Sequence, residues 1–241
     1  MKTLFLITAR GGSKGIPGKN LREIAGIPLV GYKAISALRS QYCARLIIST
    51  DSPQIQQVAR SYGAEVLFTR PHHLATDTAS SAEVLWHAMQ FIDKETTDRY
   101  DAVMLLEPST PLTRPFDYDR AVEMMIEHDA NLVVGMRETE VNSVFVGELD
   151  PQDRITQIID QLQQRREMRR QDMPREYTMN GALYLLKWDY FKEHRSIYQD
   201  RAKSFGYLMD PYYSIEIDKL IDLQWVEFLV DRGYVDLSYW R

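Results

Sequence analysis

The chain has 241 residues, 44% of them apolar, and a formal charge of -5 with histidine neutral. That length supports one substantial domain with an appendage, and the acidic balance speaks against a general nucleic-acid binder, which needs a basic face. The single cysteine, Cys43, excludes an internal disulfide and a cysteine-rich zinc site; no leader is visible and no apolar run approaches the roughly 20 residues of a membrane helix, so a cytoplasmic protein with no membrane partner is expected.

In chain order, residues 2–9 read as a first strand, and Pro28 is expected at the first position of a helix over 28–39, where its missing N–H costs nothing. Residues 45–50 give a second strand, Ser52 caps a helix opening at Pro53, and Gly63 closes it in the left-handed conformation. A short strand is read at 64–68 and a helix at 79–94, with Ser80 and Glu83 in capping-box register. A strand at 101–106, a helix at 116–128 and an apolar segment at 133–136 follow, with Met124, Met125 and Met136 as core. This alternation predicts a mostly parallel sheet covered on both faces. Residues 138–177 are polar and include a Gln/Arg/Glu run at 161–170; so long a structureless loop does not suit a compact domain, so the segment reads as an arm or small lobe packed on a second subunit. The core is then 1–137 and 178–241, closed by a strand at 182–186, a strand ending at Ile217 and a helix over about 219–232.

The first strand empties into Arg10-Gly11-Gly12-Ser13-Lys14-Gly15-Ile16-Pro17-Gly18-Lys19-Asn20. Glycines let backbone N–H groups approach anionic oxygens, and Arg10, Lys14 and Lys19 add counter-charge. The Walker A pattern fails, because Ser13 and Asn20 stand where it needs Gly and Ser or Thr; the dinucleotide fingerprint fails at Arg10. What remains is a loop whose cations grip a triphosphate directly, against the plainer reading of a basic surface loop.

Three further segments fall at strand ends. Arg70-Pro71 leads to the hydroxyl-rich turn 74–81, in which Thr78 and Ser80 are also candidates for simple helix caps. In the segment 106–112, Pro108 and Pro111 stiffen a loop that presents Glu107, Ser109 and Thr110 in fixed directions. In 214–218, period-2 alternation places Glu216 and Asp218 on one face of a strand, where paired carboxylates suit a hard divalent cation, Mg²⁺ when phosphate is the substrate. Asp222 is read in the first turn of the last helix. His72 and His73 do not share a metal, and His87 reads as packing.

Together with Asn180-Gly181-Ala182-Leu183-Tyr184, these blocks make the chain resemble the acylneuraminate cytidylyltransferases, or CMP-sialic acid synthetases, and their relatives that activate other 3-deoxy-2-ulosonic acids; the likeness runs over nearly the whole chain. The resemblance implies an α/β, Rossmann-like three-layer nucleotide-diphospho-sugar transferase fold with a protruding dimerisation arm. It implies CTP and an acidic ulosonic sugar as substrates, Mg²⁺ as cofactor and a homodimer. By position, Arg10, Gly11, Gly12, Ser13, Lys14, Lys19, Asn20, Arg70 and Ser81 would hold the nucleotide, with Arg10, Lys19 and Asp218 catalytic. Glu107, Ser109 and Asn180 would meet the sugar, and Glu216 and Asp218 the metal.

Four positions depart from the family pattern. Glu107 stands where Gln is usual, Thr113 where an Arg closes the segment, Thr178-Met179 where an Arg precedes Asn-Gly, and Glu216 where Asp is usual. The arm's basic sugar-binding residues are not cleanly reproduced in 137–145. A carboxylate at 107 accepts hydrogen bonds but donates none, which favours an amino-bearing or eight-carbon ulosonate over N-acetylneuraminic acid. GTP in place of CTP, and a nucleotide-binding relative without turnover, are the alternatives.

Overall fold

A computed structural model describes residues 1–164 and 173–241. The elements are β1 (Thr3–Thr8), β2 (Glu23–Ile24), β3 (Ile27–Pro28), α1 (Leu29–Leu38), β4 (Cys43–Ser49), α2 (Pro53–Ser61), α3 (Ser81–Glu95), β5 (Ala102–Leu106), α4 (Pro115–Glu127), β6 (Leu132–Glu138), α5 (Thr156–Gln164), β7 (Tyr177–Lys187), α6 (Trp188–His194), β8 (Ser204–Leu208) and α7 (Leu220–Asp231). Six strands form one sheet in the order β4-β1-β5-β7-β6-β8, in which only β7 runs against the others. The expected α/β fold with a mostly parallel sheet is what the chain adopts.

Alternation within β1 explains the layering. Phe5 and Ile7 pack with Val30 and Ala34 of α1, Ile55 of α2 and Tyr118 and Val122 of α4. Leu4 and Leu6 pack on the opposite face with Leu85, Met89 and Ile92 of α3 and Phe191 of α6. A strand covered on both faces reads as a nearly continuous apolar run, and β1 does. A third cluster joins Leu29 and Tyr32 of α1 to Val226 and Leu229 of α7 and to the C-terminal Trp240.

Local signals account for most element ends. Ser80 accepts from Glu83 N while Glu83 accepts from Ser80 N at 2.9 Å, the reciprocal cap expected of α3. Ser52 caps α2, and Gly63 follows that helix at φ +87°. Asp222 accepts from the N–H groups of Asp218 and Lys219 at 2.9 and 2.7 Å, seating the start of α7. Met125 is buried, Met124 and Met136 pack on the core, and the His87 ring packs edge-on to Phe68.

Three expectations are corrected. Pro28 is the N-cap of α1, not its first residue, because it also pairs with Glu23 in the β2–β3 ribbon and so takes an extended ψ. The strand read at 64–68 reduces to a single bridge between Ile47 and Glu65, because Gly63 turns the chain alongside β4 for only that contact. Residues 214–218 belong to no strand: Pro211–Tyr213 forms a 3-10 turn just before them and α7 begins at Leu220. Glu216 and Asp218 therefore share no sheet face, and Glu216 is half-buried while Asp218 is exposed.

Within 138–177, Thr139 N donates to Glu176 O at 2.9 Å at the base of the excursion, and α5 packs on a turn at Ser143–Phe145. None of the residues of α5 is buried. The part of the Gln/Arg run beyond Gln164 lies outside the described residues. Among the described residues, no helix is long and apolar enough to cross a membrane.

Candidate active site

The carboxyl ends of β1, β4, β5, β6 and β8 reach the same sheet edge as the amino end of β7, the edge where open α/β sheets bind ligands. A cavity of about 390 Å³ opens there. Its wall brings together Arg10, Ser13, Lys14, Lys19, Asn20, Arg70, Ser81, Glu107, Ser109 and Asp218, ten of the residues expected from sequence. Gly11, Gly12, Asn180 and Glu216 are not part of that wall.

The loop after β1 is held by tertiary contacts. Gly11 N donates to Asp51 Oδ1 at 2.8 Å, so this N–H is already committed. Asn20 is buried and donates from Nδ2 to the Arg10 carbonyl at 2.9 Å, closing the loop on itself. Gly18, at φ +65°, turns the chain into the short 3-10 segment at Lys19–Leu21. Gly15 is required for a different reason: a β-carbon there would run into the carbonyl oxygen of Asp218.

Each loop cation has a carboxylate partner. Arg10 and Lys14 flank Asp77 at 2.6 and 2.5 Å, and these two neighbours hold its carboxyl below the usual range. Lys19 Nζ donates to Asp218 Oδ1 at 3.1 Å and to the Ile217 carbonyl at 2.8 Å. Arg70, buried, donates to the Ser49 hydroxyl at 3.0 Å and carbonyl at 2.6 Å, and burial lowers its pKa to about 10. Ser81 opens α3 and leaves the capping to Ser80; Thr78 meets the Thr76 hydroxyl instead of capping.

The proline-stiffened turn after β5 is locked from behind. Thr110 Oγ1 donates to Asn180 O at 2.8 Å and Ile217 N donates to Ser109 O at 2.7 Å, so three distant segments meet at this turn. Burial raises the Glu107 carboxyl to about 7, with Glu216 adding to the shift. Burial and Asp218 likewise raise Glu216. A β-carbon on Gly181, which sits at φ +67°, would lie 3.0 Å from Glu216 Oε1 and 3.3 Å from Glu107 Oε2, so these carboxyls flank the strand there. Asn180 is buried beside them; its amide oxygen accepts from Ala182 N at 3.1 Å and its Nδ2 faces Met209 Sδ at 3.1 Å.

Two side chains near the site escaped sequence reasoning. Lys33 of α1 is fully buried and donates to Thr113 Oγ1 at 2.7 Å and the Ala182 carbonyl at 2.8 Å; burial lowers its pKa to about 7. The signal available was a lysine on the apolar face of Leu29-Val30-Gly31-Tyr32-Lys33-Ala34. Thr113 is thus a buried acceptor for Lys33 and does not reach the cavity wall. Asp77 lay within a segment noticed for its hydroxyls, and its charge was the overlooked cue.

A glycine-bearing cationic loop after β1, facing carboxylates from the turn after β5 and from the lead-in to α7, defines a nucleotidyltransferase. Residues 4–232 match the cytidylyltransferase family, and the chain belongs to it. It is 32% identical over 231 residues to CMP-N,N'-diacetyllegionaminic acid synthase of Legionella pneumophila, covering 96% of this chain and 97% of that one. It is 31% identical over 228 residues to post-translational flagellin modification protein B of Campylobacter coli, with 94% of each covered. In fold it is similar to the CTP complex of CMP:2-keto-3-deoxy-manno-octonic acid synthetase, at a TM-score of 0.68 and 19% identity, covering 97% of this chain and 100% of that one.

Proposed function

We propose that the protein joins CTP to the anomeric hydroxyl of a 3-deoxy-2-ulosonic acid, giving a CMP-sugar and pyrophosphate. The observation that carries this reading is one cavity whose wall brings Arg10, Lys14, Lys19 and Arg70 together with Glu107, Ser109 and Asp218. The family favours CTP over GTP, and the legionaminic relative supports a nonulosonate as the sugar.

In this reading Arg10, Ser13, Lys14 and Lys19 take the triphosphate, with Gly11 and Gly12 shaping the loop and Asn20, Arg70 and Ser81 bordering the nucleoside. Asp77 holds Arg10 and Lys14 in place until phosphate oxygens replace its carboxylate. The sugar hydroxyl attacks the α-phosphorus in line with departing pyrophosphate, whose charge Arg10 and Lys19 absorb. Glu107 and Ser109 orient the sugar, while Asn180 acts through its bonds to Ala182 and Met209 and not by contact.

Mg²⁺ fits the carboxylates present. Mg²⁺ prefers oxygen ligands and keeps several waters, so one or two carboxylates together with substrate phosphates are enough to hold it. Asp218 is exposed on the cavity wall and would hold it; Glu216 stands close enough to raise and be raised by its neighbours, and would assist. When bound, the ion neutralises phosphate charge and lowers the pKa of an attacking hydroxyl.

We assign the arm at 138–177 to a homodimer contact, supported by exposed Val141, Val146, Leu149, Ile155 and Ile159 on that excursion. A cytoplasmic location follows from the need for CTP. The test of function is a screen of CTP and GTP against N,N'-diacetyllegionaminic, pseudaminic, N-acetylneuraminic and 3-deoxy-octulosonic acids, read by pyrophosphate release. Nucleotide binding with no release for any acid would leave a sensing protein in place of the enzyme.

A further inference from the structure

We infer that Arg137 anchors the carboxylate of the sugar acid; this rests on the proposed ulosonate reaction and names the residue that would recognise its acidic group. A second cavity, of about 490 Å³, is walled by Arg137, Glu216, Asp222, Tyr212, Trp225 and their neighbours. Glu107 lines the first cavity and Glu216 the second, and both carboxyls lie against Gly181, so the two spaces are neighbours there.

Arg137 is the cation of this second wall, and it is uncommitted. Its guanidinium makes no hydrogen bond or ion pair with a described residue, and its Nε is buried without a partner. Buried donors are nearly always satisfied, so an orphan at a cavity wall is a place for a ligand to complete. By contrast, the cations of the first cavity are engaged by Asp77, Asp218 and Ser49. Glu138, beside Arg137 in sequence, has its own partner in Arg175 at 3.7 Å.

The position suits the substrate's chemistry. A 2-ulosonic acid carries its carboxylate on the carbon next to the anomeric centre, so the anchor must stand close to the reacting hydroxyl. Arg137 is near enough to Glu216 to act on its charge, and Glu216 adjoins Glu107 across Gly181. A planar guanidinium accepts a carboxylate in two parallel hydrogen bonds, which a lysine cannot reproduce. The carboxylates around it, Glu138, Glu140, Glu216 and Asp222, suit the sugar's hydroxyl and amide donors and leave Arg137 as the place where an anion is accepted. Arg137 also pairs directly with Thr178 across β6 and β7, and residues opposite each other in such a pair face the same side.

The test compares unmodified protein, Arg137→Met and Arg137→Lys, with N,N'-diacetyllegionaminic acid and its methyl ester as probes, in steady-state assays and in direct binding with a non-hydrolysable CTP analogue. Arg137→Met is expected to raise the KM and Kd for the acid at least 20-fold while the KM for CTP stays within threefold, with Arg137→Lys intermediate. The ester should bind unmodified protein weakly and Arg137→Met no worse, because the ester lacks the group the guanidinium reads. Unchanged affinity for the acid in a folded Arg137→Met, or an equal loss for acid and ester, overturns the assignment. If unmodified protein turns over other ulosonates but not this one, the same comparison is made with the acid it accepts. Absence of pyrophosphate release by the unmodified protein with every acid overturns the proposed reaction and this inference with it.

Discussion

The carbonyl oxygen of Asp218 occupies the space that a β-carbon on Gly15 would need. Lys19 reinforces the contact by donating to Ile217 O and Asp218 Oδ1, so the cationic loop and the acidic lead-in to α7 form one edge of the cavity. This joins residues more than 200 apart in sequence only through the fold.

Gly15→Ala should therefore displace the loop from Asp218 and cut kcat/KM roughly 100-fold, as expected when positioned charge is moved off a transition state. Lys19→Ala should lose as much or more, since it removes both the tie and a phosphate contact. The loop lies outside the core, so thermal unfolding should shift by only a few degrees in either variant. Steady-state pyrophosphate release together with a melting curve checks both; near-normal turnover in Gly15→Ala would mean that the contact is idle.

Lys33 predicts a particular pH dependence of stability. Its pKa is depressed from 10.5 to about 7 by burial, so the unfolded chain binds the proton more tightly than the folded one. Stability from this group is present above pH 10.5 and is lost as pH falls through the folded value near 7. Unmodified protein should gain stability between about pH 7 and 10, and Lys33→Met should flatten that rise, whatever its constant offset from losing the bonds to Thr113 and Ala182. Denaturant unfolding at a series of pH values reads the slope directly. An identical slope in both proteins would show that Lys33 keeps its ordinary affinity for protons.

Asp218→Asn should abolish divalent-metal dependence together with most turnover, while nucleotide affinity stays within about tenfold because Arg10 and Lys14 still bind phosphate. Removing the metal with chelator should inactivate the unmodified enzyme, and Mg²⁺ should restore it. Full activity in chelator would remove the metal from the reaction. Glu216→Gln is expected to be milder, because Glu216 does not line the nucleotide cavity.

How much of this was legible in the chain depended on whether the cause was local. The Ser80/Glu83 box, the Ser52 cap and the apolar run of β1 act within a few residues, and each gave its element correctly. The segment 214–218 misled because alternation of apolar and charged residues does not by itself make a strand; a strand needs a neighbour to pair with, and that is a tertiary fact. The cationic loop and Glu107 were visible from spacing. Lys33 was not, because a buried charge announces its role only through partners 80 or more residues away; nor was Arg137, whose lack of a partner for Nε among the described residues is set by the fold and not by its neighbours in sequence.

Deleting 140–175 with a short linker should convert a dimer into a monomer by light scattering, if the exposed apolar side chains of the excursion meet a second copy. Thr139 and Glu176 are already paired at the base, so the excision joins ends that lie together and should spare the sheet. An unchanged dimer would move the interface elsewhere, with exposed Trp225 and Phe228 of α7 next in line.

Glu107 is the residue expected to read the sugar beyond its carboxylate. It lines the nucleotide cavity, its turn is fixed by Pro108 and by the Ile217 N–H on Ser109 O, and it stands across Gly181 from Glu216. When ionised, Glu107 accepts hydrogen bonds and rejects a substrate group that can only accept, a discrimination expected to strengthen as pH rises above its pKa of about 7, whereas glutamine offers a donor at every pH. N-acetylneuraminic acid should accordingly be a poorer substrate than N,N'-diacetyllegionaminic acid or an eight-carbon ulosonate. Glu107→Gln should shift the ratio of kcat/KM values toward N-acetylneuraminic acid by about tenfold, the usual effect of one matched hydrogen bond. Measuring both sugars on both proteins decides it. An unchanged ratio would mean that Glu107 does not face the sugar, and a preference of the unmodified enzyme for N-acetylneuraminic acid would mean that the exchange of amide for carboxylate at this position leaves selectivity to other residues.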